Sequence, residues 1–274
     1  MRYAICNELF QDWPWEKALE LSRQLGYTGW EIAPFTMGDA PTELPAAKRA
    51  ELAKTIQDAD TQVVGLHWLL AKTDGFYLTT DDGEVRERTA VYLGDLARLC
   101  RDLGGSIMVL GSPHQRNFPD SMTHEQADNN TISVLEQVIP VLEEHDVTLA
   151  LEPLGPGEGN YWNEARQAVA VIEKLASKNV QLHLDVKAMS SEPEPIADVI
   201  RANAKHMVHF HANDPNLLGP GMGEVPFEPI FGALKEIDYQ GWVSVEVFDY
   251  APGIETICSE SMENMRSAVA SCGA

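Results

Sequence analysis

Short apolar runs alternate with longer amphipathic segments along the whole chain. The apolar runs are rich in β-branched residues and predict eight strands, at 3–7, 29–33, 62–70, 106–110, 148–151, 180–185, 207–211 and 242–247. Apolar positions between them recur at helical spacing and predict helices at 15–25, 45–59, 84–103, 124–145, 164–176, 195–202, 227–237 and 260–271. Thr123 and Gln126 form a predicted capping box at the start of the fourth helix.

This alternation predicts the fold class. Uninterrupted apolar strands that alternate with helices are typical of a parallel sheet covered by helices. Eight repeats favour a closed barrel over an open sheet, and the chain length of 274 residues is close to that of known (β/α)₈ barrels. No GxGxxG motif follows the first strand, so a dinucleotide-binding fold has little support. We therefore predict one α/β domain over residues 1–274, a single (β/α)₈ TIM barrel.

Metal-ligand side chains stand at the ends of the last four predicted strands. They are Glu152, Asp185, His211 and Glu246, at spacings of roughly 30 residues, which is about one strand–helix unit. Ligands at equivalent ends of successive barrel strands converge on one point. Three carboxylates and one imidazole suit a hard or borderline divalent cation, so the pattern predicts a metal-dependent enzyme.

Net charge and cysteine content indicate which binding partners and which cellular compartment the protein is compatible with. The net charge is −22, from 42 acidic and 20 basic residues, which disfavours binding to nucleic acids and to anionic membranes. The four cysteines lack metal-finger spacing and fit a reducing compartment. Neither a signal peptide nor a membrane-spanning apolar run is recognisable in the sequence. We therefore expect a cytoplasmic protein without nucleic-acid or membrane partners.

Motifs at the last four strands resemble the xylose-isomerase-like barrel superfamily, and the likeness extends over nearly the whole chain. The motifs are LEP, HLDVKAM, HFHAND and DYQGWVSVEVF. Within that superfamily the chain is most similar to the ketose 3-epimerases of the tagatose or psicose type. The resemblance implies that Glu152, Asp185, His211 and Glu246 hold one divalent cation, with Mn²⁺ preferred and Co²⁺, Mg²⁺ or Zn²⁺ as alternatives. It also implies that Glu158 binds a substrate hydroxyl, although a loop charge without a role is the alternative.

The chain departs from the epimerase pattern at two places that contact substrate oxygens in that family. Ala188 stands where the epimerases carry a histidine, and 216–218 reads Asn-Leu-Leu where they carry an arginine. These departures leave the exact substrate, and epimerisation at C3 itself, open. Strand alternation places His183 on the same side as Asp185, either at the site or in a deeper layer of the barrel.

Other residues near the predicted strand ends are candidates for substrate binding. His67 ends the third strand and is expected to contact a sugar hydroxyl, although a histidine at the barrel mouth with its hydrogen bonds satisfied within the protein is the alternative. Trp68 beside it is expected to stack on a sugar, although such residues are as often part of the core. Arg116 follows the fourth strand and is expected either to clamp an anionic substrate group or to pair with a loop carboxylate.

The predicted site suits removal of a proton from a carbon beside a ketone. This reaction needs a base and a group that stabilises the enediolate oxygen, and a divalent cation can supply the second. Glu152 and Glu246 come from different sides of the barrel, so one is expected to remove the proton and the other to return it to the opposite face. We predict an isomerase, namely a metal-dependent sugar epimerase or isomerase that acts on a ketose or keto-sugar through a metal-stabilised enediolate.

Several alternatives are compatible with parts of the same pattern. A dehydratase or lyase acting on an inosose or keto-glycoside needs the same cation and the same proton abstraction, and isomerisation between C1 and C2 is equally accessible. A nuclease of the AP-endonuclease type is disfavoured, because Ala188 replaces one of its metal ligands. A non-catalytic sugar-binding role leaves the four metal-ligand side chains unexplained. The expected partner is a small-molecule sugar, and we expect a homo-oligomer, either a dimer or a tetramer.

Overall fold

The computed structural model describes residues 1–272, and within them eight parallel strands close into a barrel in chain order. The strands are β1 (Arg2–Cys6), β2 (Gly29–Ile32), β3 (Gln62–Leu66), β4 (Ile107–Leu110), β5 (Thr148–Leu151), β6 (Val180–Asp185), β7 (Met207–Ala212) and β8 (Trp242–Val245). The barrel closes where β1 pairs with β8, with Ile5 opposite Val245. The prediction of a (β/α)₈ TIM barrel is confirmed.

Helices surround the barrel and connect its strands. They are α1 (Trp15–Leu25), α2 (Ala46–Asp58), α3 (Gly83–Asp102), α4 (His124–His145), α5 (Ala165–Leu175), α6 (Val186–Met189), α7 (Ile196–Ala202), α8 (Phe227–Glu236) and α9 (Ile254–Ser271). Short 3₁₀ segments lie at Asn7–Phe10, Pro34–Met37, Pro41–Glu43 and Pro113–Gln115. Among residues 1–272, no helix combines the length and the apolar character that crossing a membrane requires.

Some element boundaries differ from those predicted. The third strand ends at Leu66 rather than at residue 70, because Trp68 takes a left-handed backbone conformation with φ of 55° and turns the chain out of the sheet. The last helix begins at Ile254 rather than at residue 260. The predicted capping box of α4 is confirmed, since Thr123 Oγ1 accepts a hydrogen bond from Gln126 N and Gln126 Oε1 accepts one from Thr123 N.

The two ends of the barrel interior differ in chemistry. Ala4, Val64 and Trp242 form a small apolar cluster separate from the main core. It lies near the amino-terminal ends of the strands, and Gly29 is required there, because a Cβ would lie 2.7 Å from both Ala4 Cβ and the Trp242 ring.

The carboxyl-terminal half of the interior is polar instead. His209 on β7 bonds to Glu31 on β2 at 2.9 Å, and these strands are not neighbours, so the bond crosses the interior. Interior layers of a TIM barrel are usually apolar, so a polar layer at this end indicates a functional site.

Candidate metal centre and active site

The predicted ligands lie on one rim of the barrel. Glu152 follows β5 directly, Asp185 ends β6, His211 belongs to β7 and Glu246 follows β8 directly. All four are buried, and the most accessible of them, Glu152 and Glu246, are each 6% exposed. Parallel strands place their carboxyl ends on the same rim, which is where barrel enzymes bind their ligands.

The donor atoms of these side chains are close enough to share an ion. Glu152, Asp185 and His211, together with His183, each offer one donor atom, and these atoms lie within 4.8 Å of one another. Glu246 Oε2 lies 3.2 Å from His211 Nδ1, which joins Glu246 to the same cluster. Glu246 also belongs to a second group with Glu8 and His67. The structure therefore brings all four predicted ligands together and adds His183.

Electrostatics favour a cation at this cluster. Burial raises the pKa of the Glu152 carboxyl well above its ordinary value, and the charges of Glu246 and Asp185 raise it further. Burial also raises the pKa of Asp185, to about 6, against the opposing effect of the Lys187 ammonium. Desolvated carboxylates at such distances repel one another, and a divalent ion would relieve that repulsion. The residues thus fit a divalent metal in both donor type and charge.

Glu31 fixes the orientation of His211. Burial by itself would raise the pKa of Glu31, but His209 and His211 hold it well below its usual range, so the carboxylate is ionised. It accepts hydrogen bonds from Nε2 of His209 at 2.9 Å and from Nε2 of His211 at 3.1 Å. Nε2 of His211 therefore donates to Glu31, and Nδ1, which lies 3.2 Å from Glu246 Oε2, is the nitrogen that would be available to a cation.

Asp185 is oriented by its surroundings in a similar way. Its Oδ1 accepts the backbone N–H of Ala188 at 2.8 Å, and its Oδ2 accepts the side-chain amide of Asn213 at 2.6 Å. Asn213 in turn accepts the backbone N–H of Lys187 at 2.8 Å. These bonds join the start of α6 to the end of β7 and hold the carboxylate in one position.

A cavity of about 340 Å³ opens beside the cluster. Its walls include Glu152 and Glu246, the aromatic rings of Trp68 and Phe248, and Glu158. Trp68 and Phe248 meet edge to face with centroids 5.8 Å apart. The left-handed conformation of Trp68 costs of the order of 1–3 kcal/mol, and strain of this kind is concentrated at functional sites. The cavity is large enough for a small molecule in contact with both catalytic candidates.

The four predicted substrate-binding residues have different positions. Trp68 and Glu158 line the cavity. His67 lies deeper, with Nε2 2.9 Å from Glu8 Oε2 and 3.8 Å from Glu246 Oε1.

Arg116 is 1% exposed and donates through Nη1 to the backbone carbonyl of Glu152 at 2.6 Å. Its guanidinium lies 5.3 Å from the Trp162 ring centroid. Neither His67 nor Arg116 is part of the cavity wall. His67 instead lies near Glu246, and Arg116 bonds to the main chain of Glu152.

Other residues of the site were not identified from the sequence. Lys187 Nζ lies 2.7 Å from Glu158 Oε2 and 4.9 Å from the centroid of the Phe248 ring, at the edge of the cavity. Glu8, Glu31 and Asn213 were also missed. A charged residue within an apolar strand was a usable signal for Glu31, and the charge in HLDVKAM was one for Lys187.

Glu152 also depends on a glycine of the neighbouring strand. A Cβ at Gly111 would overlap the Glu152 carboxylate, so the end of β4 has to lack a side chain at this position. The carboxylate therefore lies against the backbone that follows β4, and Arg116 bonds to the main chain of the same residue.

Comparison with known proteins gives a consistent result. The sequence profile described as "Xylose isomerase-like TIM barrel" matches residues 19–268. The D-psicose 3-epimerase of Enterocloster bolteae is 28% identical over 95% of this chain and 86% of its own length. The L-ribulose 3-epimerase of Mesorhizobium japonicum is 30% identical over 84% of this chain and 76% of its own length. The crystal structure of D-psicose 3-epimerase with D-tagatose from Clostridium cellulolyticum H10 has a TM-score of 0.87, with 19% identity, 98% of this chain and 99% of the other covered.

Proposed function

Because the chain belongs to the xylose isomerase-like TIM barrel family and is an isomerase or epimerase, we propose that it is a divalent-metal-dependent epimerase of a neutral ketose or keto-sugar. The observation that carries this proposal is the convergence of Glu152, Asp185, His211 and Glu246 beside one cavity. The names of the relatives, D-psicose and L-ribulose 3-epimerases, support a ketose as substrate.

Glu152, Asp185, His211 and Glu246 would hold the cation. When bound, a divalent ion would polarise a substrate carbonyl and offset negative charge on the adjacent oxygen. A donor set dominated by carboxylates is compatible with Mn²⁺, Co²⁺ or Mg²⁺. Glu31 and Asn213 would keep His211 and Asp185 in position for this task, because their hydrogen bonds fix both side chains.

Glu246 and Glu152 would transfer the substrate proton from opposite sides of the cavity. Burial alone would raise the pKa of Glu246, but His211 and His67 lower it below its ordinary value, which keeps the carboxylate ionised and suited to act as a base. Glu152 also lines the cavity and would be the second carboxylate of the pair, which returns the proton.

Glu158 and Lys187 would bind substrate hydroxyls at the outer end of the cavity. Their ion pair of 2.7 Å offers an acceptor and a donor side by side, which suits a vicinal diol. Trp68 and Phe248 would contact the apolar face of the sugar. Lys187 adjoins Ala188, where the related pattern has a histidine, so it is suited to replace that donor.

The charge balance of the site supports a neutral substrate. Among the described residues, the cavity wall includes the carboxylates of Glu152, Glu158 and Glu246 and no lysine or arginine side chain. The Lys187 ammonium at its edge is already paired with Glu158. An added phosphate or carboxylate on the substrate would therefore be repelled, which favours a free sugar over a sugar phosphate.

Incubation with ketoses in D₂O tests the proposal. D-psicose, D-tagatose and L-ribulose are offered to the Mn²⁺-loaded protein, and the products are analysed by NMR and mass spectrometry. We expect an epimer or isomer that retains the formula of the substrate and carries solvent deuterium at the exchanged carbon. Loss of water would instead identify a dehydratase. Turnover that is unaffected by removing the cation would contradict the proposal.

Glu246→Gln provides the matched test of the base. Loss of a positioned base is expected to lower kcat by about 10²- to 10⁴-fold, with an unchanged circular dichroism spectrum. Glu255→Gln removes the same charge from an exposed position at the start of α9 and serves as the control. Wild-type rates in Glu246→Gln would refute Glu246 as the catalytic base.

A further inference from the structure

His183 is placed at the metal centre by the alternation of β6. It lies two residues before Asp185, so both side chains point into the barrel, with His183 one layer deeper. Along the neighbouring strand, His183 is paired with His209 and Asp185 with His211. The His183 ring is 0% exposed, and its centroid lies 4.1 Å from that of His211. His183 therefore occupies the floor of the site directly below the predicted ligands.

The ring nitrogens of His183 have no hydrogen-bond partner in the described part of the chain. This holds for both Nδ1 and Nε2. A buried polar group without a partner costs about 1–3 kcal/mol and calls for a specific explanation, such as a bound ion or water. His209 provides the contrast, because it is equally buried but bonds to Glu31 through Nε2. His183 thus lacks the hydrogen bond through Nε2 that His209 makes.

The distances from His183 match those between ligands of a common ion. His183 Nε2 lies 3.8 Å from Glu152 Oε1. Two ligands at about 2.1 Å from one metal can be at most about 4.2 Å apart. The cluster of donor atoms within 4.8 Å contains His183 with Glu152, Asp185 and His211. The separation of 3.8 Å between His183 and Glu152 is therefore within the range that two ligands of one ion can have.

We propose that His183 is a further ligand of the cation, through Nε2, so that this centre has two imidazoles and three carboxylates. The inference rests on the proposed function, because it takes the cation at Glu152, Asp185, His211 and Glu246 as given. A second imidazole makes the site more favourable for Co²⁺ and Zn²⁺, and less selective for Mg²⁺, than four ligands with one imidazole would.

Counting coordinated nitrogens tests this inference without an activity measurement. The apoprotein is loaded with Mn²⁺, and electron spin echo envelope modulation measures the directly bound ¹⁴N nuclei. We expect two nitrogens in the wild type and one in His183→Gln. Calorimetric titration of the apoproteins should show Co²⁺ affinity lowered about 10- to 100-fold in His183→Gln, with a much smaller change for Mg²⁺.

His209→Gln is the matched control, since His209 is an equally buried imidazole on the next strand. It should retain two coordinated nitrogens. A single nitrogen in the wild type would overturn the inference while leaving the proposed function intact, whereas a wild type that binds no Mn²⁺ would refute the metal dependence of the proposed function. Should His183→Gln fail to fold, the nitrogen count of the wild type still decides the question.

Discussion

The two sides of the metal centre are built differently. On the side formed by β2, β7 and β8, His211 has both ring nitrogens within 3.2 Å of a carboxylate, from Glu31 and from Glu246. On the side formed by β5 and β6, His183 has no hydrogen-bond partner in the described residues, and Glu152 meets it only at 3.8 Å. The protein alone thus pairs both ring nitrogens of His211, whereas those of His183 have no hydrogen-bond partner among the described residues.

The two sides are expected to respond differently to a bound cation. A preorganised side loses little conformational freedom when a ligand arrives, so we expect it to contribute most to the position of a bound cation. The side with unsatisfied and mutually repelling groups gains most from the ion, because burial and the neighbouring charges of Glu246 and Asp185 raise the pKa of Glu152. We therefore expect stability to depend on the ion mainly through β5 and β6, and ion placement to depend mainly on Glu31.

The largest expected effect comes from breaking the preorganised side at Glu31. In Glu31→Gln, one carboxylate that bonds both His209 and His211 is replaced, and the tautomer of His211 is no longer fixed. Affinity of the apoprotein for Co²⁺ should fall about 10- to 100-fold, as measured by calorimetry. Nitrogen NMR of the imidazoles should show His211 in a mixture of tautomers.

Two variants control this experiment. Glu16→Gln removes the same charge from an exposed position in α1 and should leave the affinity unchanged. Glu31→Asp keeps the charge with a shorter side chain and should recover part of the lost affinity. Unchanged Co²⁺ affinity in a folded Glu31→Gln protein would show that the cation does not depend on this carboxylate.

A smaller effect is expected for the thermal midpoint of Glu152→Gln, and its sign should depend on whether the metal is bound. In the presence of EDTA, Glu152→Gln should raise the thermal midpoint at about pH 7.5, because it removes a buried, repelled carboxylate. With Mn²⁺ bound, the same change should lower the midpoint, because a ligand is lost. Differential scanning calorimetry of both forms measures the two shifts.

The pH dependence of that gain follows from the sign of the pKa shift. A carboxyl whose folded pKa is raised destabilises the protein increasingly as pH rises from its unfolded pKa, and the penalty is complete above the folded pKa. The stabilisation of the metal-free protein by Glu152→Gln should therefore shrink on acidification from about pH 7.5 to about pH 5, near the unfolded pKa of glutamate. A gain that grows on acidification would contradict the assignment of charge repulsion at this side.

The contrast between the two sides also shows what the sequence could and could not predict. The positions of Glu152, Asp185, His211 and Glu246 at strand ends follow from the period of the repeat, which fixes the rim on which each side chain lies. The contact between Glu31 and His209 joins residues 178 apart in the chain across the barrel interior. Strand periodicity gives the face of each residue but not which opposite side chain it meets, so the role of Glu31 required the structure.

Arg116 illustrates a second limit of the sequence. A loop arginine after a barrel strand was expected either to clamp an anionic substrate group or to pair with a loop carboxylate, but its guanidinium is buried and bonds to the backbone carbonyl of Glu152. The number of residues between β4 and the arginine does not determine whether the loop folds over the cavity or back onto the barrel. Burial of a charge depends on tertiary contacts with residues distant in the chain.

The smallest expected effect is at Lys187, at the outer edge of the cavity between the two sides. Lys187→Met should raise KM for the ketose up to about tenfold with a smaller change in kcat, because one hydrogen bond to a hydroxyl is worth about 0.5–1.5 kcal/mol. The variant also leaves Glu158 without its ion pair, which is partly exposed and contributes little to stability. Steady-state kinetics with the best ketose of the D₂O experiment provides the measurement.

Lys178→Met is the control for Lys187→Met, since Lys178 is exposed and precedes β6, whereas Lys187 follows the opposite end of that strand. Lys187→Arg keeps the charge and should retain most of the affinity if the group acts as a donor. A fall in kcat as large as that of Glu246→Gln would place Lys187 in the proton transfer itself, whereas an unchanged KM would remove it from the substrate site. The result decides whether the ion pair with Glu158 recognises the sugar or has only a structural role.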